Sequence, residues 1–222
     1  MRVDIVTPAP PRSRYGNRVT ALRWARMLGQ LGHRVSVLQE YSGEPCDLLI
    51  ALHARRSFPS VSRFRSERPS VPLIVALTGT DLYQDLQRGG RALRSLDLAD
   101  RLVLLQPKGI EALPRHVRSK ARVIYQSCSR PAGKTCRAPR RHRHFNVCVV
   151  GHLRSVKDPF RAARAARLLP EWSRIRILHA GGSMSDTMAA RARAEMRSNR
   201  RYRWLGELPP WRVRRIFAQS DL

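Results

Sequence analysis

The sequence predicts an α/β protein with parallel sheets, built from two doubly wound, Rossmann-like halves. Short apolar runs alternate with segments of helical periodicity from the N-terminus onward, a polybasic stretch interrupts this pattern near residue 130, and the alternation resumes at Phe145. Alternating strands and helices are typical of parallel sheets with crossover helices. At 222 residues the chain is long enough to bury a substantial core.

The first half, residues 1–128, is predicted to form one domain. Its apolar runs predict six strands, at Val3 to Thr7, Arg34 to Leu38, Asp47 to Leu52, Leu73 to Leu77, Arg101 to Gln106 and Arg122 to Tyr125. Between the first two strands, Asn17 is expected to cap a helix. The apolar face of that helix is expected to carry Ala21, Leu22, Ala25 and Leu28.

A change of composition separates the two halves. From Arg130 to His144 the chain has six Arg or Lys, two His, two Pro and no acidic residue. This composition predicts a basic linker over residues 129–144, and a polybasic segment that binds phosphates is the alternative.

The second half, residues 145–222, repeats the strand and helix alternation but is shorter. It predicts strands at Phe145 to Val150, Arg174 to Ala180 and Tyr202 to Leu205. It also predicts three helices: one with Ala162, Ala165, Ala166 and Leu169 on one face, one over Ser185 to Arg197, and one that begins at Pro209. Three strands alone would leave a sheet edge and an apolar face open to water. We therefore expect this second domain to be incomplete.

The composition restricts the classes of partner. Lys and Arg number 43 against 16 acidic residues, a net charge of +27, which favours an anionic partner. The cations are spread along the chain and are not interleaved with aromatic residues, which argues against nucleic acid, although a basic RNA-binding module stays an alternative. The four cysteines lack zinc-type spacing, so no metal site is expected. No leader and no run of about 20 apolar residues is present, so we expect a cytoplasmic protein without membrane contact.

The most informative motif spans Val149 to Pro159. It predicts a strand, a turn at Gly151 with two cations, Arg154 and Lys157, and a helix whose N-cap is Asp158. A helix N-terminus beside two cations favours a bound diphosphate. A plain loop with solvated basic residues is the alternative.

Other candidates lie at the carboxyl ends of strands, where doubly wound folds bind ligands. His53 and the run Thr78, Gly79, Thr80 and Asp81 each follow a predicted strand. Gly16 and Asn17 lie where the first helix begins, and Gly181 and Gly182 end a strand of the second half. A structural histidine is the alternative for His53, and a capped helix start is the alternative for Gly16 and Asn17. For Gly181 and Gly182 the alternative is an ordinary glycine turn.

Several longer runs carry a resemblance to a known family. They are IVTPAPP (5–11), GNRVTALRWA (16–25), ALHARRS (51–57), ALTGTDLY (76–83), VIYQS (123–127), GHLR (151–154), VKDPF (156–160) and YRWLGEL (202–208). With its two Rossmann-like halves, the chain resembles the GT-B glycosyltransferases of the glycosyltransferase 4 type. Within that group it looks most like the selenosugar synthases of selenoneine biosynthesis.

This resemblance implies a reaction and its participants. A sugar, with N-acetylglucosamine expected, would pass from a UDP-sugar to selenophosphate, and loss of phosphate would leave a 1-selenosugar, without a cofactor or metal. The resemblance assigns catalysis to Arg154, Lys157, His53 and Asp81. It assigns substrate binding to Gly16, Asn17, Thr78, Gly79, Thr80, Gly151, Gly181, Gly182, Glu207 and Leu208.

The sequence departs from the family at two places. Glycosyltransferase 4 enzymes carry a histidine in the loop after the fourth strand, where this chain has Thr78 to Asp81. An anionic selenium nucleophile has less need of a general base, which gives this departure a chemical reason. The family's Glu-x₇-Glu segment is absent, so we expect a truncated chain. A transferase with a hydroxyl acceptor and an inactive remnant are the alternatives.

Overall fold

The computed structural model describes residues 1–127 and 143–222. Its contacts divide the chain into two compact units, Met1–Cys128 and Ser129–Leu222. The predicted linker at 129–144 lies outside the described residues except for its last two, and Cys128 and Cys136 lie outside them altogether. In the described part of the chain, no helix is long and apolar enough to cross a membrane.

The first unit is a six-stranded parallel sheet. Its strands are β1 (Arg2–Val6), β2 (Arg34–Leu38), β3 (Leu48–Leu52), β4 (Leu73–Leu77), β5 (Arg101–Leu104) and β6 (Ala121–Val123), and its α-helices are α1 (Gly16–Gln30), α2 (Phe58–Glu67) and α3 (Arg91–Leu98). The strand order is β2-β1-β3-β4-β5-β6, with every pair parallel. The order reverses between β1 and β3, so the loops after these two strands flank a topological switch point.

Apolar residues fill both faces of this sheet. One face packs Leu49, Val75 and Leu102 with the buried sides of α2 and α3. On the other face, Val3 and Ile5 pack against α1. Both faces are covered, which explains why β3 and β4 read as continuous apolar runs.

The start and the buried face of α1 differ from the prediction. The helix begins at Gly16 with Tyr15 as N-cap, and that cap makes no side-chain hydrogen bond, so Asn17 is a helical residue and not the cap. Leu22 is 49% exposed, because the helical stripe toward the sheet is formed by Ala21, Trp24, Ala25 and Leu28.

The second unit is a three-stranded parallel sheet in the order β7-β8-β9. It contains β7 (Phe145–Val150), α4 (Arg161–Arg167), β8 (Ile175–Ala180), α5 (Asp186–Ser198), β9 (Tyr202–Trp204) and α6 (Pro210–Gln219). The core face of α4 is formed by Ala163 and Ala166, whereas Ala165 is exposed. No residue of α6 is buried, and its Trp211 is 59% exposed.

The outer edge of β7 is not fully open. The N–H of Leu222 donates to the carbonyl oxygen of Asn146 at 3.2 Å, and the N–H of Cys148 donates to the carbonyl oxygen of Leu222 at 2.6 Å. The Asp221 carboxylate also accepts from the N–H of Asn146 at 2.8 Å. The last two residues therefore pair with the middle of this edge, and the prediction of an open edge is wrong there.

Candidate functional site

His53 lies just past β3, at the switch-point end of the first sheet. Its φ of 76° is in the left-handed region, which is costly for a residue with a side chain. Its Nδ1 accepts from the N–H of Arg56 at 3.3 Å, and its Nε2 is 3.4 Å from Oγ1 of Thr80. Burial lowers the pKa of His53, and Arg56 adds to this, against the opposite effect of Asp81 and Asp85. The ring is therefore neutral at pH 7, with its proton on Nε2 facing Thr80.

Asp81 holds together the loops that follow β3 and β4. It is 0% exposed, and its carboxylate accepts hydrogen bonds from three backbone N–H groups. These belong to Ala54 at 3.1 Å, Thr78 at 2.9 Å and Gly79 at 2.9 Å. A carboxylate so surrounded fixes the two loops relative to each other, and this geometry does not favour the predicted catalytic role.

Asp85, which was not predicted from the sequence, belongs to the same cluster. Its Oδ2 is 3.9 Å from Nε2 of His53, and its Oδ1 accepts from Nη1 of Arg55 at 3.0 Å. Asp85 lies in a single π-helical turn, Asp81–Asp85, that starts beside Thr80. Its only sequence signal is the spacing of four residues from Asp81, which places both carboxylates on one side of that turn.

Gly16 and Asn17 lie in the first turn of α1, after the loop that follows β1. A Cβ on Gly16 would meet nothing within 4 Å, so this glycine is not required by packing. The next residue, Arg18, was not singled out from the sequence. Its Nε and Nη1 atoms are buried and have no hydrogen-bond partner among the residues that the structure describes. Buried donors without a partner are costly and often mark the place of a ligand.

In the second unit, two glycines bring the loops after β7 and β8 into backbone contact. A Cβ on Gly181 would lie 1.9 Å from the carbonyl oxygen of Gly151 and 2.9 Å from the backbone nitrogen of His152. Only glycine fits at position 181. The loops are also joined by Leu153, whose N–H donates to the carbonyl oxygen of Gly182 at 2.9 Å.

One of the two predicted cations, Lys157, lies beside this contact, and the other, Arg154, is in the same loop. The missing Cβ of Gly151 would lie 3.7 Å from Cδ and 3.9 Å from Nζ of Lys157, so the lysine side chain passes over the glycine. Arg154 and Lys157 are both exposed. Neither has an ion pair or side-chain hydrogen bond within residues 1–127 and 143–222. Their charges are therefore available to an anion.

The prediction that Asp158 caps a helix is wrong. Asp158 has a left-handed φ of 41° and ends a short 3₁₀ turn, Ser155–Lys157, while α4 begins three residues later at Arg161 with Phe160 as its N-cap. Its carboxylate accepts instead from Arg161 at 2.8 Å and Arg164 at 2.8 Å. Asp158 thus holds the far end of the loop, and the predicted helix N-terminus at the anion is not present.

Gly182 and the segment after β9 meet beside His152. A Cβ on Gly182 would lie 3.2 Å from Oε2 of Glu207 and 3.4 Å from Nδ1 of His152. That Nδ1 accepts from the N–H of Gly182 at 3.1 Å. Leu208 is half-buried next to Glu207. The structure therefore brings the predicted residues of the second unit together at the carboxyl end of its sheet.

The described residues contain no group of three or more His, Cys, Asp or Glu side chains placed to hold a metal ion. The two described cysteines, Cys46 and Cys148, are not bonded to each other. Burial raises the pKa of both thiols, which disfavours the reactive thiolate form.

Comparison with known proteins identifies the fold. No protein-family profile matches the chain, and no curated protein matches its sequence. Among solved structures, HepE of Anabaena in complex with UDP is 13% identical, with a TM-score of 0.63 over 94% of this chain and 70% of that one. The lipopolysaccharide outer core galactosyltransferase WaaB, in its apo form, is 14% identical, with a TM-score of 0.60 over 99% of this chain and 72% of that one.

A third solved structure is MnaA of S. aureus with UDP, which is 11% identical, with a TM-score of 0.58 over 99% of this chain and 72% of that one. The predicted α/β class with two Rossmann-like units is confirmed. The chain has the GT-B fold of glycosyltransferases, over a span that corresponds to about 70% of the HepE chain.

Proposed function

We propose that this chain is a glycosyltransferase that moves a sugar, N-acetylglucosamine in the first instance, from a UDP-sugar to selenophosphate. The observation that carries the proposal is the loop of residues 151–158, here called the diphosphate loop. This loop carries two exposed cations, Arg154 and Lys157, that have no ion pair among the described residues, and Lys157 lies beside a glycine backbone contact. HepE and MnaA, which share the fold, have UDP bound in their structures.

The chemistry requires charge stabilisation at the leaving group. Selenium forms a bond to C1 of the sugar while the bond from C1 to the β-phosphate oxygen breaks, so negative charge grows on UDP. Water then cleaves the selenium–phosphorus bond, which releases phosphate and leaves the 1-selenosugar. Arg154 can pair two phosphate oxygens and Lys157 adds a point charge. Preorganised donors of this kind are worth about 10²- to 10³-fold each in rate.

The first unit supplies the acceptor in this proposal. Selenophosphate is anionic near neutral pH. Two buried nitrogens of Arg18, which have no partner within residues 1–127 and 143–222, match an anion that has several acceptor oxygens. Thr80, whose hydroxyl accepts from the neutral ring of His53, has its own proton free to orient toward a bound acceptor. Binding an anion through an arginine and a hydroxyl needs no proton transfer in this unit.

The decisive experiment measures UDP release with UDP-N-acetylglucosamine and selenophosphate, with selenium-77 NMR to identify the product. Arg154→Gln should lower kcat by at least about 100-fold. Arg193→Gln removes the same charge from an exposed residue of α5 and should leave kcat unchanged. Faster UDP release with sugar hydroxyls than with selenophosphate would establish a hydroxyl-acceptor transferase instead. RNA binding that UDP does not compete with would favour the basic binding module.

A further inference from the structure

The second unit contains a buried histidine that joins two strands to the diphosphate loop. In β8, His179 has its Nδ1 3.0 Å from the hydroxyl of Tyr202 on β9, and its Nε2 3.0 Å from the carbonyl oxygen of Gly151. The exposed fractions of His179 and Tyr202 are 1% and 0%. Polar side chains buried in a small apolar core are costly unless they are satisfied, and here they satisfy each other and the loop.

The direction of these hydrogen bonds is fixed by their chemistry. A carbonyl oxygen only accepts, so Nε2 of His179 carries the ring proton and donates it to Gly151. Burial lowers the pKa of His179, against the effect of its bond to Gly151. Burial likewise raises the pKa of the Tyr202 hydroxyl. The ring is therefore neutral, and Tyr202 donates to His179, which donates to Gly151.

This relay determines where the next peptide group points. The carbonyl of Gly151 faces His179 and lies over the bare Cα of Gly181. No described peptide bond is cis, and in a trans peptide the N–H points opposite to the C=O. The N–H of His152 is therefore turned away from the core. It donates to no acceptor in the described ranges.

The glycine before the outward N–H has a cation for a neighbour. Nζ of Lys157 lies 3.9 Å from where a Cβ of Gly151 would be. An anion held by Lys157 over Gly151 thus comes within reach of the His152 N–H. A fixed N–H donor beside a cation is a strong arrangement for phosphate oxygens because it costs no reorganisation on binding.

We propose that Tyr202 and His179 are positioning residues that hold the Gly151 carbonyl inward so that the N–H of His152 binds the diphosphate of the nucleotide. Neither side chain contacts the ligand in this proposal. The inference rests on the proposed function and deepens it, because it names a third donor of the diphosphate site and the groups that aim it.

The test compares binding of UDP with binding of uridine, which lacks the phosphates, for the full chain and its variants. His179→Leu removes the donor to Gly151 and should weaken UDP binding about 10-fold or more, with uridine binding unchanged. His179→Gln keeps an N–H near the position of Nε2 and should restore UDP binding to within about 3-fold of wild type. Tyr202→Phe should give a smaller loss of the same kind.

Ile177→Ala is the matched control, because Ile177 is a buried residue of the same strand outside the relay. It should destabilise the unit while the ratio of uridine to UDP dissociation constants stays at the wild-type value. If His179→Leu keeps that ratio as well, the relay is only structural and the inference is wrong, while the proposed donor site stands. If His179→Leu does not fold, the other two variants decide. A wild-type ratio of uridine to UDP dissociation constants in Tyr202→Phe, together with a ratio below the wild-type value in His179→Gln, would overturn the inference equally. A wild-type chain that does not distinguish UDP from uridine would overturn both proposals.

Discussion

Replacing Gly181 with alanine tests the backbone contact on which the diphosphate loop depends. The new Cβ would lie 1.9 Å from the carbonyl oxygen of Gly151, whereas such contacts are essentially never below 3.0 Å. One backbone segment must therefore move by roughly 1 Å, since buried backbone cannot rotate out of the way as a flexible side chain does. The carbonyl then leaves the position in which it accepts from His179.

The expected cost combines two terms. Overpacking in a filled site costs about 1–3 kcal/mol, and a buried group that loses its hydrogen bond costs about 1–3 kcal/mol more. We therefore expect Gly181→Ala to lower the free energy of unfolding of the second unit by about 2–6 kcal/mol.

Urea unfolding followed by tryptophan fluorescence measures this effect. Trp204 is a local reporter because its Nε1 donates to the carbonyl oxygen of Gly181 at 2.8 Å. Gly29→Ala is the matched control, because Gly29 is a helical residue of α1 and its Cβ would meet nothing within 4 Å. That variant should gain about 0.5–1 kcal/mol. If both alanine variants changed the unfolding free energy relative to wild type by the same amount, the reasoning would be refuted.

Four further predictions follow from the same geometry. Gly151→Ala should fold with unchanged stability, since the nearest atom to the new methyl group is 3.7 Å away. It should bind UDP less tightly because that methyl group lies beside Lys157, and a loss of stability as large as the loss of UDP binding would contradict this prediction. Asp81→Asn should lower the unfolding free energy by about 1–3 kcal/mol in urea denaturation, because three N–H groups lose a charged acceptor. His53→Ala should not cause a loss of turnover that higher pH restores, because the geometry of the ring does not make it a general base. Acidification should lower the melting temperature below about pH 6.5, and His179→Gln should reduce that slope, measured by calorimetry.

The direction of the last effect follows from the lowered pKa of His179. The unfolded chain takes up the ring proton near the ordinary value of 6.5, while the folded chain does so only at lower pH. The stability linked to this group is therefore fully present above pH 6.5 and is lost as the pH falls toward the folded-state pKa. His53 has a lowered pKa as well and contributes in the same direction in the first unit.

Periodicity in the sequence was sufficient to predict the strands and their parallel arrangement. The apolar runs of β3 and β4 are readable because both sheet faces are buried, and their predicted bounds differ from the structure by at most one residue. Helix starts were predicted less well. Asp158 followed by Pro159 is a strong local signal for a helix N-terminus, but two arginine side chains compete for the same carboxylate, and the helix begins three residues later.

The partners within the site were beyond reach of sequence patterns. The relay of Tyr202, His179 and Gly151 joins two strands and the loop after a third strand, which are adjacent only because the sheet order is β7-β8-β9. Asp85 likewise meets His53 through a π-helical turn that no periodicity signals. Contacts of this kind depend on which strands are neighbours, whereas sequence patterns report only which face of an element is buried.

The occupied polar groups of the first unit also favour one class of acceptor. A sugar hydroxyl must give up a proton as it attacks, so it needs a base with a free lone pair. Nδ1 of His53 already accepts from Arg56, its Nε2 carries the proton, and the carboxylate of Asp81 is buried against three N–H groups. An acceptor that is already anionic, with a soft selenium nucleophile, needs a cation instead of a base. Arg18 offers that cation with two donors that have no partner in the described part of the chain, which supports the proposed anionic acceptor.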